Sequence, residues 1–138
     1  MLFRFWGRWP RYAEFGALAQ HVRFIERTSR KLARTTFHAM VRFGPKLERR
    51  QMVLFRLVDV GAELFAMSAA CSRAEALRKK GQPEAVELAD LFCRYARGRV
   101  RDVFRTVFAN DDVRTYRLAQ DVLQGRHAWL EGGLVVPK

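Results

Sequence analysis

The sequence predicts an all-α protein: an up-and-down four-helix bundle with one long central helix and an N-terminal segment of aromatic and basic residues. Apolar residues recur at three- and four-residue steps over most of the 138 residues, which is the helical period. Glycine and proline separate the periodic stretches, while strand-like composition is confined to residues 133–136. Short connections between long helices favour antiparallel neighbours, and hence a bundle.

The first helix is predicted to run from about residue 17 to residue 43. Gly44 and Pro45 end it, because glycine accommodates a left-handed C-cap and proline fits the first turn of a following helix. The predicted inward positions recur at helical spacing and are Val22, Ile25, Leu32, Ala33, Phe37, Met40 and Val41. The other face carries five cations, Arg23, Arg27, Arg30, Lys31 and Arg34.

The second helix is the longest, with predicted bounds near residues 45 and 80. It carries two apolar rows on adjacent faces, too wide a stripe for one partner, and we therefore expect it to contact two neighbouring helices. Gly61 lies inside it, where glycine costs about 1 kcal/mol relative to alanine, and close helix packing is the predicted reason. The first row is Val53, Leu57, Val60, Leu64, Met67, Cys71 and Ala74, and the second is Leu47, Leu54, Val58, Gly61, Phe65 and Ser68.

Two further helices complete the predicted bundle. The third follows the Gly81-Gln82-Pro83 break and extends to about residue 108; the fourth covers about residues 111–124 after a capping signal at residues 110–112. The predicted inward residues of the third helix are Val86, Leu88, Ala89, Phe92, Ala96, Val100, Val103, Phe104 and Val107, with Arg94, Arg97, Arg99, Arg101 and Arg105 outside. Those of the fourth helix are Val113, Tyr116, Ala119 and Leu123.

Composition favours one globular domain. With 49% apolar residues the chain can bury enough surface to offset its ordering entropy, which excludes a disordered tail. We divide it into an N-terminal segment (1–16), a helical bundle (17–125) and a tail (126–138). Cys71 and Cys93 lack CxxC spacing, which disfavours a zinc site or a disulfide scaffold and favours a reducing compartment.

The chain is strongly basic. It has 26 Lys and Arg against 14 Asp and Glu, and residues 1–50 alone hold 12 basic and 3 acidic residues. Arginine supplies 21 of the cations; it suits phosphate or carboxylate partners, although a genome rich in G and C would produce the same excess. No run approaches the ~20 apolar residues that span a bilayer, and residues 1–15 lack the features of a secretory leader. We expect a cytoplasmic protein, peripheral at the inner face of the membrane.

The sequence offers no complete catalytic, cofactor-binding or metal site. The three histidines, His21, His38 and His127, are not spaced as metal ligands. Asp59 and Glu63 lie four residues apart, and we expect Arg56 or an arginine of a neighbouring helix to neutralise them. Cys71 and Cys93 are interpreted as small core residues, and Ser68 and Ser72 as helical serines that bond back to the chain.

The N-terminal aromatic segment (residues 1–12) is the most distinctive feature. Five aromatic residues alternate there with three arginines. This mixture suits a membrane surface, single-stranded nucleic acid, or packing against the bundle or a neighbouring domain. The predicted membrane or partner surface is Phe3, Arg4, Trp6, Arg8, Trp9 and Arg11.

Three stretches of the chain carry a family resemblance. These stretches are the helix–turn–helix string VRFGPKLERRQ at 41–51, the helix at 57–74 with LFAM and SRA, and ADLFC at 89–93. They are similar to the extra C-terminal helical domain of very-long-chain acyl-CoA dehydrogenases and their bacterial relatives. The resemblance covers roughly residues 35–124. It implies a helical bundle appended behind a flavoprotein core, in fatty-acid β-oxidation.

The resemblance also implies partners. In that family the domain supports dimerisation and attachment to a membrane surface, while FAD and the catalytic glutamate belong to the preceding core; we therefore expect FAD in that core and no cofactor bound by this chain alone. The expected partners are the flavoprotein core, a second copy and an anionic membrane surface. Two alternatives remain: a stand-alone basic protein that binds nucleic acid, and a purely structural dimerisation module.

Overall fold

The computed structural model describes residues 11–133. Four α-helices follow one another: α1 (Ala19–Phe43), α2 (Gln51–Lys79), α3 (Glu84–Thr106) and α4 (Asp112–Leu123). Three short 3-10 helices accompany them, at Ala13–Leu18, Gly44–Arg49 and Ala128–Gly133. The described residues contain no β-strand, and the predicted all-α class is confirmed.

The chain divides into two compact units. Of the described residues, those up to 108 form the unit that contains α1, α2 and α3, and those from 109 onward form the unit that contains α4. The segment boundaries predicted at residues 16 and 125 stay a prediction.

The first three helices alternate in direction, as predicted. α2 contacts both α1 and α3, which confirms that it meets two neighbours. Its antiparallel register with α3 is fixed by the contacts of Glu63 with Arg99 and of Cys71 with Cys93. α1 runs parallel to α3, because His21 contacts Asp90 and, ten residues further along α1, Lys31 contacts Phe104.

The core follows one face of α2. All seven residues of its first predicted row are buried, and the row passes through three successive apolar clusters. α3 contributes small residues to these clusters, α1 contributes Ala39 and half-buried Ile25 and Leu32, and the preceding 3-10 helix contributes Leu18. Small residues such as Ala96 and Cys93 let α2 and α3 approach closely along this seam.

The predicted inward face of α1 is wrong in its C-terminal half, where Ala33, Phe37, Met40 and Val41 are exposed. The inward row includes polar residues: it runs at three- and four-residue steps through Leu18, His21, Ile25, Thr28 and Leu32, and Ala39 follows two turns later. A search for apolar residues passes over His21 and Thr28, and it selects the larger residues of the neighbouring face instead.

The helix ends agree with the predicted punctuation, with two corrections. Gly44, Gly81 and Gly125 all have positive φ, between 48° and 86°, as left-handed helix ends require. α2 begins at Gln51 instead of Pro45, because Arg50 has a non-helical ψ of 47°. α4 begins after Asp111, but Asn110 supplies the capping oxygen, which accepts the Asp112 N–H at 3.1 Å.

Some apolar residues predicted to face inward do not. Leu88 of α3 is exposed, and Phe92 is at the margin of exposure. Within its own unit α4 has no buried residue, and its four predicted inward residues are exposed. None of the helices among residues 11–133 is long and apolar enough to cross a membrane.

Candidate interaction surfaces

The predicted membrane or partner surface lies largely outside the described residues. Phe3, Arg4, Trp6, Arg8 and Trp9 precede residue 11, and their predicted role stays a prediction. Arg11 is exposed, and its carbonyl oxygen accepts a hydrogen bond from Arg23 Nη1 at 3.1 Å.

Tyr12 links the N-terminal aromatic segment to α1. Its backbone is left-handed at φ 52°, which is uncommon for a residue other than glycine. Its hydroxyl donates to Glu26 Oε2 at 3.3 Å. Partial burial and the Glu26 carboxylate raise the pKa of Tyr12 above its ordinary value, because both disfavour a phenolate there.

The two acidic residues of α2, Asp59 and Glu63, have different surroundings. Glu63 receives two hydrogen bonds from Arg99 of α3, one of them from Nη2 at 2.9 Å, and this pairing raises the pKa of Arg99. Asp59 is exposed. The expected neutralisation by an arginine of a neighbouring helix is therefore confirmed for Glu63, and the pair has the form of a structural ion pair across the α2–α3 seam.

The two cysteines are core residues, as predicted. Both thiols are free and buried, and their sulfur atoms lie 3.7 Å apart across the α2–α3 seam. The hydrogen bond with Cys71, together with burial, raises the pKa of Cys93, which disfavours its thiolate. Ser68 donates back to the Leu64 carbonyl at 2.8 Å, as expected of a helical serine.

A buried histidine is the polar feature that the sequence reasoning missed. His21 is fully buried, and its Nε2 lies 2.8 Å from Asp90 Oδ1. The other Asp90 oxygen accepts from Arg94 Nε at 2.6 Å. The bonds from His21 and Arg94 hold the pKa of Asp90 below its ordinary value. His21 occupies the inward row one turn after Leu18, and this register was the only available signal.

These side chains do not form a metal centre. Within residues 11–133 no group of three or more histidine, cysteine, aspartate or glutamate side chains could hold a metal ion. The network of His21, Asp90 and Arg94 ties α1 to α3 and contains no nucleophile. The surfaces of the unit that contains α1, α2 and α3 are therefore its candidate functional regions.

The outer row of α2, defined as Phe55, Val58, Ala62, Phe65 and Ala69, is exposed along its whole length. Its members recur at strict three- and four-residue steps on the side opposite the buried row, since residues 60 and 62 are roughly 200° apart around a helix. Phe55, Val58 and Phe65 are 57%, 66% and 76% exposed. A helix with apolar residues on both faces is typical of one that is buried on both.

Exposed apolar residues continue onto α3. Leu88, Phe92 and Tyr95 share a helical row with Arg99, the partner of Glu63. Monomeric proteins seldom expose apolar patches of more than a few hundred Å². α2 and α3 together have the character of an interaction surface.

Comparison with known proteins identifies the family. Residues 16–126 match the model of the ACAD9/ACADV C-terminal domain. The chain belongs to this family. Over 127 residues, which are 90% of the chain, it is also 54% identical to the probable acyl-CoA dehydrogenase FadE10 of Mycobacterium tuberculosis and of Mycobacterium bovis. No solved structure matches the chain significantly.

The family confirms the resemblance seen in the sequence, and the relatives define its extent. The chain spans about a fifth of the length of the curated relatives it matches, since the aligned region is 20% of each. The match lies on the helices that carry the buried and outer rows. The acyl-CoA dehydrogenase C-terminal domain is thus the setting in which the exposed surfaces are to be interpreted.

Proposed function

We propose that this chain is the non-catalytic helical part of an FAD-dependent acyl-CoA dehydrogenase of fatty-acid β-oxidation. The observation that carries the proposal is its 54% identity to a fifth of FadE10. By family, the catalytic residues and FAD belong to the flavoprotein core, and this chain associates with that core. The free, buried thiols and the ion-paired Glu63 support a structural role, because neither is arranged as an acid, base or nucleophile.

Dimerisation is the first role we propose, with the outer row of α2 as its contact surface. Between Met52 and Ser72 the sequence has only three charged residues, and one of them, Glu63, is paired within the chain. Covering the exposed phenylalanines would release apolar surface from water at about 25 cal/mol per Å². Five apolar residues at helical spacing suit a partner helix or a flat apolar face.

Sedimentation equilibrium tests this role. We expect the 138-residue protein to form dimers and the Phe55→Ser/Phe65→Ser variant to be shifted to monomer. The matched control is Phe37→Ser/Val41→Ser, which removes comparably exposed apolar groups from α1 and should leave the dimer intact. A monomeric wild-type protein would refute dimerisation through this chain alone.

Docking to an anionic membrane surface is the second role we propose, through Phe3, Trp6, Trp9 and the neighbouring arginines. Aromatic residues insert at the headgroup level and each cation near an anionic surface adds about 1 kcal/mol. Co-sedimentation with neutral and anionic liposomes at two salt concentrations tests it. We expect salt-sensitive binding to anionic liposomes that Trp6→Ala/Trp9→Ala abolishes.

The chain provides a control for this experiment in Trp129, which is exposed and far along the sequence. The Trp129→Ala variant should bind liposomes as the wild type does. Equal loss in both variants, or wild-type protein that stays in the supernatant with both liposomes, would exclude docking through the N-terminal aromatic segment.

A further inference from the structure

A basic groove lies between α1 and α3, on a different side of the unit from the outer row of α2. It has a volume of about 430 Å³, within the usual range of ligand sites. One side is formed by α1 residues at i, i+4 and i+7, and the other by α3 residues at i, i+3 and i+4. The groove is lined by residues that include Phe24, Thr28 and Lys31 on α1, and Arg101, Phe104 and Arg105 on α3.

The two helices hold their cations on each other's aromatic rings. Lys31 Nζ of α1 lies 4.2 Å from the centre of the Phe104 ring of α3. In the reverse direction, the guanidinium of Arg101 lies 6.0 Å from the Phe24 ring of α1, and that of Arg97 lies 4.8 Å from it. Such contacts attract a cation to the ring face without neutralising its charge, and they restrict otherwise flexible side chains.

The positive charge of the groove is largely uncompensated. Neither Lys31 nor Arg101 forms an ion pair with a carboxylate of residues 11–133. Arg105 donates to Asp102 Oδ1 at 3.1 Å, and both of these side chains are exposed. Burial, followed by repulsion from Arg101 and Arg94, lowers the pKa of Arg97 below its ordinary value. The cationic side chains therefore lie close together at the groove, although their mutual repulsion favours a greater separation.

The groove also contains the Thr28 side chain, whose hydroxyl makes no hydrogen bond within the described residues. Thr28 lines the groove, and only 8% of its surface is exposed. The three other α1 hydroxyls, of Ser29, Thr35 and Thr36, donate back to carbonyls one turn earlier, but the Thr28 hydroxyl makes no such bond to any described residue. Its donor is available to a ligand at the base of the groove.

We propose that this groove binds the phosphate group of an organic phosphate ester, with Lys31, Arg101 and Arg105 on the phosphate oxygens and Thr28 as a neutral donor. Arginine and lysine both form short charge-assisted bonds with phosphate. The Phe24 and Phe104 rings provide an apolar wall for the organic moiety. A soluble phosphate ester and a phospholipid headgroup share this chemistry.

The test separates site binding from general attraction to a basic protein. Isothermal titration calorimetry of the 138-residue protein uses inorganic pyrophosphate, and sedimentation uses phosphatidylcholine vesicles with and without phosphatidic acid. The groove variant is Lys31→Gln/Arg101→Gln. Its matched control, Arg114→Gln/Arg117→Gln, removes the same charge from exposed positions of α4.

We expect the groove variant to weaken binding about tenfold or more, since each charge-assisted bond exceeds the 1.4 kcal/mol of a tenfold change, and the control to change it less than twofold. Loss in the pyrophosphate titration identifies a soluble phosphate as the source, and loss with vesicles alone identifies a lipid headgroup. Equal weakening by both variants, or no binding of either probe, would overturn the site. Because the soluble arm involves neither liposomes nor Trp6 and Trp9, its failure leaves the docking proposal untouched.

Discussion

The two faces of α2 have the same kind of residue at the same spacing and opposite surroundings. The buried row, from Val53 to Ala74, is covered by α1 and α3. The outer row, from Phe55 to Ala69, includes two phenylalanines and is exposed. The difference teaches that hydrophobic periodicity identifies a face that must be covered, while only the fold shows whether the same chain covers it.

The adjacent residues Leu64 and Phe65 give the sharpest form of this comparison. Leu64 is 5% exposed in the buried row, and Phe65 belongs to the outer row. We expect Leu64→Ala to lower the free energy of unfolding by about 2–5 kcal/mol, because it leaves a cavity among α1, α2 and α3. Phe65→Ala should change it by less than about 0.5 kcal/mol at concentrations where the protein is monomeric.

Urea denaturation followed by circular dichroism measures both free energies. If Phe65→Ala destabilised the dilute protein as strongly as Leu64→Ala does, the outer row would be covered by this chain. If the loss for Phe65→Ala appeared only at high protein concentration, it would measure dimerisation.

The sequence predicted the helices well because their signals are local. The φ-positive glycines and the apolar rows specify where α1, α2 and α3 begin, end and turn inward. It predicted the inward face of α1 poorly, because His21 and Thr28 are buried by interactions with distant residues. The Asp90 carboxylate that makes the burial of His21 tolerable is 69 residues away in the sequence, and no local pattern reports it.

Of the two candidate surfaces, the sequence revealed the apolar residues of one and gave no sign of the other. The second row of α2 was apparent in the sequence, but whether Val58 and Phe65 faced a helix or solvent depended on the fold. The groove was not apparent, since Lys31 and Arg101 were both assigned to solvated outer faces. Only the parallel arrangement of α1 and α3 brings these two cations onto opposite sides of one groove.

The Asp90 carboxylate has one buried partner and one exposed partner, so the contributions of the two contacts to stability can be compared. One oxygen bonds buried His21, and the other bonds Arg94, which is exposed. We expect Asp90→Ala to cost about 1–3 kcal/mol of unfolding free energy, because it leaves Nε2 of His21 buried without a partner, as Nδ1 already is. Arg94→Ala should cost at most about 1 kcal/mol, as for a surface ion pair.

Thermal unfolding of the two variants against wild type provides the measurement. Similar losses in both would indicate that the His21 bond contributes no more than a surface pair.

Glu75 places a carboxylate at the C-terminal end of the buried face of α2, and its contribution to stability should depend on pH. Arg78 donates two hydrogen bonds to it, Lys79 lies 3.5 Å away, and these partners lower its pKa from 4.5 to about 2. A lowered pKa in the folded state stabilises the protein above the unfolded-state value, and this contribution is lost as the pH falls from about 4.5 towards 2.

We therefore expect the stability difference between wild type and Glu75→Gln to be constant above about pH 5 and to shrink below pH 4.5. Urea midpoints across this range measure it. A difference that stayed the same down to pH 2.5 would show that the Arg78 bonds do not depend on the charge of Glu75.

Gly61 lies between the two rows, and its substitution is the one expected to stabilise the protein. The sequence predicted that close packing requires this glycine, but a Cβ built at Gly61 would lie 3.9 Å from Leu32 Cδ2, an ordinary van der Waals contact. The backbone is helical, so alanine fits without strain and removes the entropy cost of a helical glycine. We expect Gly61→Ala to raise the unfolding free energy by up to about 1 kcal/mol, seen as a higher urea midpoint with an unchanged slope. A lower midpoint would mean that α1 and α2 approach more closely than their contact at Leu32 indicates.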